Sequence, residues 1–163
     1  MRFKRVHAVL VVLAMATLAG AQTKSSGTAQ CGKPKAKHNL EAGDRPNHSF
    51  MLTQVTCTWP KSFDIAGLQT KDLTLTVFSE VTGDSSQDRG IFVGAMSNGD
   101  KIYGRFHGPT TLKGGVAISA EAKWTYSGGT GKLKGIKGSG SAKGKGGPDG
   151  MTWESEGEYT LPK

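Results

Sequence analysis

Three polar side chains at alternate positions, Tyr103, Arg105 and His107, are the residues of this 163-residue chain best placed for chemistry. In an extended strand they project to one side, with Ile102, Gly104 and Phe106 on the other. Facing an interior, the arginine would bind an acidic or carbonyl-bearing ligand and His107 would carry a proton. The apolar alternation favours the opposite arrangement, with Ile102 and Phe106 inward and the polar trio at the surface. Glu80 is a candidate partner carboxylate, but no spacing places it near them. No serine or cysteine nucleophile stands in a recognisable setting.

A second group is basic. Lys132, Lys134, Lys137, Lys143 and Lys145 fall in a stretch without an acidic residue. As strand residues, Lys132 and Lys134 share a face, as do Lys137, Lys143 and Lys145. Such a stripe would contact a polyanion: a phosphorylated glycan, an acidic lipid headgroup or nucleic acid. The competing reading is a solvated strand face whose lysines discourage edge pairing. It is favoured because the segment lacks aromatic stacking partners. Glu154, Glu156 and Glu158 on the following strand could also neutralise the lysines across the sheet. The glycines here do not form a nucleotide loop. A phosphate loop needs G-x4-G-K-[ST], and Lys132 is followed by Leu133; the dinucleotide pattern G-x-G-x-x-G fails at Lys134.

The cysteines number two, Cys31 and Cys57. The chain opens with Arg2, Lys4 and Arg5, runs through an uncharged, mostly apolar stretch, Ala8 to Leu18, and reaches Ala19-Gly20-Ala21. That is the order of an export signal cleaved near Ala21, with an apolar run short of the roughly 20 residues of a membrane span. The expected product is secreted or periplasmic, with no membrane span after cleavage. An even cysteine count in an oxidising compartment predicts a Cys31–Cys57 disulfide, stabilising by about 3 kcal/mol. A metal site using His38 and His48 is the alternative, and its ligand spacings are absent. No metal or cofactor is expected. Losing the leader lowers the net charge from +8 to +5, too diffuse a surplus to mark a nucleic-acid partner.

Strands must position these groups. Glycine, at 24 residues, is about twice as frequent as usual and sits between Val-, Ile-, Thr- and aromatic-rich runs. Residues 22–46 are polar and read as an arm with little structure of its own, leaving 47–163 as one β domain. Strands are expected over 49–59, stopped by Pro60, over 72–82, on both sides of Asn98-Gly99, over 115–126 and after a Pro148-Asp149-Gly150 turn. Ile65 to Gly67 reads as connection and Gly83 to Arg89 as a polar loop. Asn98-Gly99 reads as a two-residue turn with positive φ at both positions. Trp124, Tyr126, Trp153 and Tyr159 fall on apolar faces, as core or as pocket lining. The whole predicts an all-β fold, a small antiparallel barrel or sandwich. The barrel is preferred because frequent strand glycines suit tight coiling.

The segment Y-S-G-G-T-G-K-L-K-G-I-K-G-S-G, 126–140, resembles the G-G-T-G-x-[FLY]-x-G-[AI]-x-G pattern of the allene oxide cyclase and dirigent-like barrels. The closing M-T-W-E-S-E-G-E-Y-T-L-P resembles the tail of small exported bacterial barrel proteins related to them. The resemblance implies an eight-stranded antiparallel calycin-like barrel, often enclosing an apolar pocket. No position matches the cyclase's catalytic residues or the dirigent pocket residues. The leading expectation is therefore an exported barrel that binds a small apolar or amphipathic ligand without catalysis. Tyr103, Arg105, His107, Trp124, Tyr126 and Trp153 are its pocket candidates. The alternatives are a cyclase or isomerase acting by pocket shape and a polyanion-binding module.

Overall fold

Alternating Val, Ile, Thr and aromatic residues carry most of the described residues into extended structure. A computed structural model describes residues 22–147 and 149–162. The expected leader, 1–21, lies outside the described residues, as does Pro148 of the expected turn. The strands are β1 (Thr23–Cys31), β2 (Ala36–Glu41), β3 (His48–Lys61), β4 (Asp64–Ile65) and β5 (Leu68–Thr82). They continue with β6 (Ser85–Met96), β7 (Lys101–Lys113), β8 (Val116–Gly129), β9 (Lys137–Gly147) and β10 (Gly150–Thr160). A 3₁₀ turn, Gly131–Leu133, joins β8 to β9.

Strands β5 to β10 form an antiparallel meander. β1 lies between β10 and β3, and β3 pairs in turn with β5. The ring β1, β3 and β5 to β10 is thus a closed, eight-stranded antiparallel barrel. β2 extends the sheet beside the first half of β3, and β4 makes a two-residue ladder with β5.

Four local expectations are corrected. Residues 22–46 are not an unstructured arm but contain β1 and β2. The inward positions of β1 are Gly27, Ala29 and Cys31, too small to write an apolar pattern, and its main chain is held by two neighbours. Gly83 to Arg89 is not a loop, because β6 begins at Ser85. Pro60 does not end β3; it falls where the β1–β3 register shifts, and its missing N–H costs no ladder bond there. At Asn98-Gly99 only Gly99 has positive φ, because the four-residue turn Ser97–Asp100 needs one left-handed residue, not two. Positive φ at consecutive positions occurs instead at Ala66 and Gly67, the tight turn from β4 to β5, and at Gly114 and Gly115, the turn from β7 to β8.

Large rings facing glycines fill the interior. Across the β6–β7 ladder Phe106 opposes Gly90 and Phe92 opposes Gly104. Trp124 opposes Gly140, Trp153 opposes Gly144 and Tyr159 opposes Gly138. A Cβ at Gly140 would overlap the Trp124 ring and the Glu156 carbonyl oxygen. Each missing side chain gives a ring its space and lets neighbouring strands coil closely.

One end of the barrel is sealed by the glycine-rich segment. After β8 the 3₁₀ turn drives Leu133 and Ile136 inward until both are fully buried. Asp100, in the β6–β7 turn, clasps this segment by accepting the Lys132 backbone N–H at 3.0 Å. Gly131 sits against that carboxylate with φ 51°, where a Cβ would both strain the backbone and strike the acid. Thr130 Oγ1 accepts the Lys101 N–H, completing the clasp. Phe63, Ile65, Met96 and Ile102, all buried, pack beneath it.

Two stability changes follow. Gly140→Ala should lower unfolding free energy by about 1–3 kcal/mol, the range for overpacking a dense interior, read by urea titration. A wild-type midpoint would contradict the ring-on-glycine arrangement. The Cys31–Cys57 bridge joins directly opposed residues of β1 and β3, so the double Cys→Ala variant should lose about 2–5 kcal/mol, with reductant producing no further loss.

Candidate functional site

Between the sealed end and the centre of the barrel lies a cavity of ≈ 110 Å³. Trp59 and Phe63 wall it on one side, and Phe92, Phe106, Trp124 and Tyr126 on the other. Ala29, Ala122 and Ala142 leave room where larger residues would fill it. The disulfide and Trp153 complete the lining. No lining side chain carries a charge. Thr70, whose hydroxyl is buried, is spent on the Phe63 carbonyl oxygen at 2.6 Å. The Trp124 indole N–H is shared between Ser155 Oγ at 3.1 Å and the Ser141 carbonyl at 3.3 Å. Trp59 Nε1–H is buried without a hydrogen-bond partner among the described residues. Burial raises the Tyr126 phenol, with a smaller contribution from Tyr159, so it stays neutral across the physiological range.

Volume decides what fits. A void of roughly 150 Å³ lined by aliphatic and aromatic residues stays dry and admits benzene. The present cavity is somewhat smaller, the size of one ring or a short branched alkyl group. A long acyl chain or a fused-ring system would need the rings to repack. With no acid or base on its walls, the cavity orients a guest by shape.

Of the pocket candidates, Trp124, Tyr126 and Trp153 line this cavity. Tyr103, Arg105 and His107 do not. They stand on the outer face of β7, with Ile102, Gly104 and Phe106 inside, because the apolar side chains of that strand take the inner positions. Glu80 also faces outward, against His48. All five lysines are exposed. Lys132 and Lys134 belong to the 3₁₀ turn and its cap rather than to a strand. Lys143 stands opposite Glu121 on one side and Glu154 on the other, so acids flank the middle of the stripe.

A polar layer inside the opposite half of the barrel was not legible in advance. Ser79, Ser86 and Thr110 are buried on inner faces of β5, β6 and β7. Asp88 stands among them, accepting the Ser86 hydroxyl at 2.8 Å and the Thr110 hydroxyl at 2.6 Å. The signal was present as alternation. Ser86, Asp88, Gly90, Phe92, Gly94 and Met96 are one continuous inner face whose first members are polar.

Outside the barrel, where β3 begins, His48 is buried between two carboxylates. Its Nδ1 meets Asp44, and its Nε2 meets Glu80 at 3.1 Å. The hydrogen bond to Asp44 chiefly raises its pKa above the ordinary 6.5, against the opposing cost of burial, with Glu80 adding to the rise. The bond to His48 lowers the Asp44 carboxyl. A histidine raised in the folded state stabilises fully below pH 6.5, and that contribution fades as pH climbs through the folded value. Melting temperature should therefore fall as pH rises above 6.5 and through the folded value, and His48→Gln should flatten that slope. An equal slope in the variant would remove His48 as its source.

No protein-family model and no curated protein matches the chain. Among solved structures it is similar to the pterocarpan synthase dirigent protein GePTS1, with TM-score 0.51 and 9% identity over 96% of this chain and 98% of that one. At that identity the likeness carries the fold alone: this chain has a dirigent-like β-barrel.

Proposed function

We propose that this protein is an exported barrel that binds a small apolar molecule, or the ring of an amphipathic one, in its lumen without covalent chemistry. The observation that carries the reading is the ≈ 110 Å³ cavity whose walls are rings, alanines and a disulfide, with no charged side chain. Enclosing such a guest removes its surface from water at about 25 cal/mol per Å². The guest needs no counter-charge there. The disulfide fits an oxidising compartment, which supports export.

The cyclase or isomerase reading rests on Tyr103, Arg105 or His107 reaching a bound intermediate, and all three point away from the cavity. The polyanion reading rests on the lysines acting together, and acids flank Lys143 from both neighbouring strands. Ligand binding is therefore preferred.

Single-ring probes such as toluene and indole, titrated by calorimetry, test the proposal. Wild-type protein should bind at least one of them with a negative heat-capacity change. Ala122→Leu, which places a branched side chain in the void, should weaken binding at least tenfold without lowering the melting temperature. No heat with any probe, or equal affinity in Ala122→Leu, would overturn it.

A further inference from the structure

The lumen is layered, and the layers differ in chemistry. Phe106 opposes Gly90 on the cavity wall, and the next inward pair along the β6–β7 ladder is Asp88 and Gly108. Two residues of strand advance about 7 Å, so the carboxylate stands one side-chain layer beyond the apolar cavity. The position opposite it is a glycine, where a Cβ would strike the Glu121 carbonyl oxygen. No side chain from that position covers the acid.

Asp88 is held but not neutralised. Its two oxygens accept one hydroxyl each, from Ser86 and Thr110, both buried. An ionised carboxylate has about four acceptor sites, so roughly half its capacity is unspent. Ser79, also buried, is its cross-strand neighbour on β5. No cation answers it. Among the described residues the ion pairs involve only Asp44, Arg45, His48 and Glu80. The adjacent Arg89 is turned outward over the Phe78 ring at 4.3 Å. A half-buried carboxylate on the inner face of β6, oriented by two hydroxyls and without an ion-pair partner among the described residues, is a receptor for a positive group.

We infer that the lumen takes an amphipathic amine: a ring or short alkyl group in the apolar cavity and a protonated nitrogen on Asp88. The inference rests on the cavity reading above and names the ligand class for it. The ammonium donates to the free acceptor positions of the carboxylate, and a charge-assisted bond of this kind is about twice as strong as a neutral one. A compact arylammonium whose nitrogen is one spacer away from its ring spans the two layers. A carboxylate-bearing ligand would be repelled from the same position.

The test compares matched probes on the intact protein by calorimetry and tryptophan fluorescence: a phenylalkylamine series, the corresponding phenylalkyl alcohols and the corresponding carboxylic acids. The amine of best spacer length should bind about tenfold or more tightly than its alcohol, and the acid more weakly than either. Asp88→Asn should erase the preference for the amine over the alcohol, read on protein that still melts cooperatively. Should that variant fail to fold, Asp88→Ser and the wild-type comparison of amine with alcohol still decide. Equal affinity of amine and alcohol in wild type, or an undiminished preference in a folded Asp88 variant, overturns the amine inference and leaves the cavity standing. Absence of binding by every probe, alcohols included, overturns both.

Discussion

The barrel depends on one steric constraint: a large inward ring requires an empty position on at least one of the two strands beside it, as Phe106 and Trp124, which face each other, have Gly90 and Gly140 on their other sides. Eight strands closed on themselves leave an interior just wide enough for side chains. If every inner position carried one, the rings of Phe92, Phe106, Trp124, Trp153 and Tyr159 could not all point inward. Glycine directly across the ladder from each resolves the conflict. It also lets main chains approach closely enough for the strong coil that closure needs. The abundance of glycine is thus the complement of the aromatic content rather than a sign of loose structure. The cavity is what remains where the facing residue is alanine.

The same economy governs the sealed end. Leu133 and Ile136 enter the barrel only because the chain turns sharply at Gly131, and it can do so only because Asp100 holds the turn from a neighbouring hairpin. A segment rich in glycine and lysine therefore serves as a stopper. Its lysines are the solvated outer surface of that device, and Lys143 lies between two acids on adjacent strands.

How much of this could be read beforehand depended on side-chain size. β8 and β10 were legible because Trp124, Tyr126, Trp153 and Tyr159 mark their inner faces plainly. The cysteine pair was legible from count and compartment. β1 and the first half of β6 were not, because their inner positions hold Gly, Ala, Ser and Asp, and a two-letter apolar pattern records those as loop. Asp88 was missed for this reason alone: it continues a correct alternation in polar residues. The outward placement of Tyr103, Arg105 and His107 was the favoured reading of the β7 pattern. What alternation could not supply was the cavity itself, since an unfilled volume follows from the joint sizes of residues on strands distant in sequence. Pro60 misled because a proline is a barrier within a regular ladder but harmless at a register shift.

The insertion of β1 between β3 and β10 bears on how the molecule is made. Of the eight ring strands, the first to leave the ribosome has as one of its two neighbours the last, so the ring cannot shut until β10 has been made. Contacts of such long sequence separation slow folding, and the meander of β5 to β10 can assemble while the seat beside β10 stays vacant. Cys57 emerges only 26 residues after Cys31. Oxidation at that stage would tether the opening strand to β3 early, so that the final strand arrives to find its partner already moored.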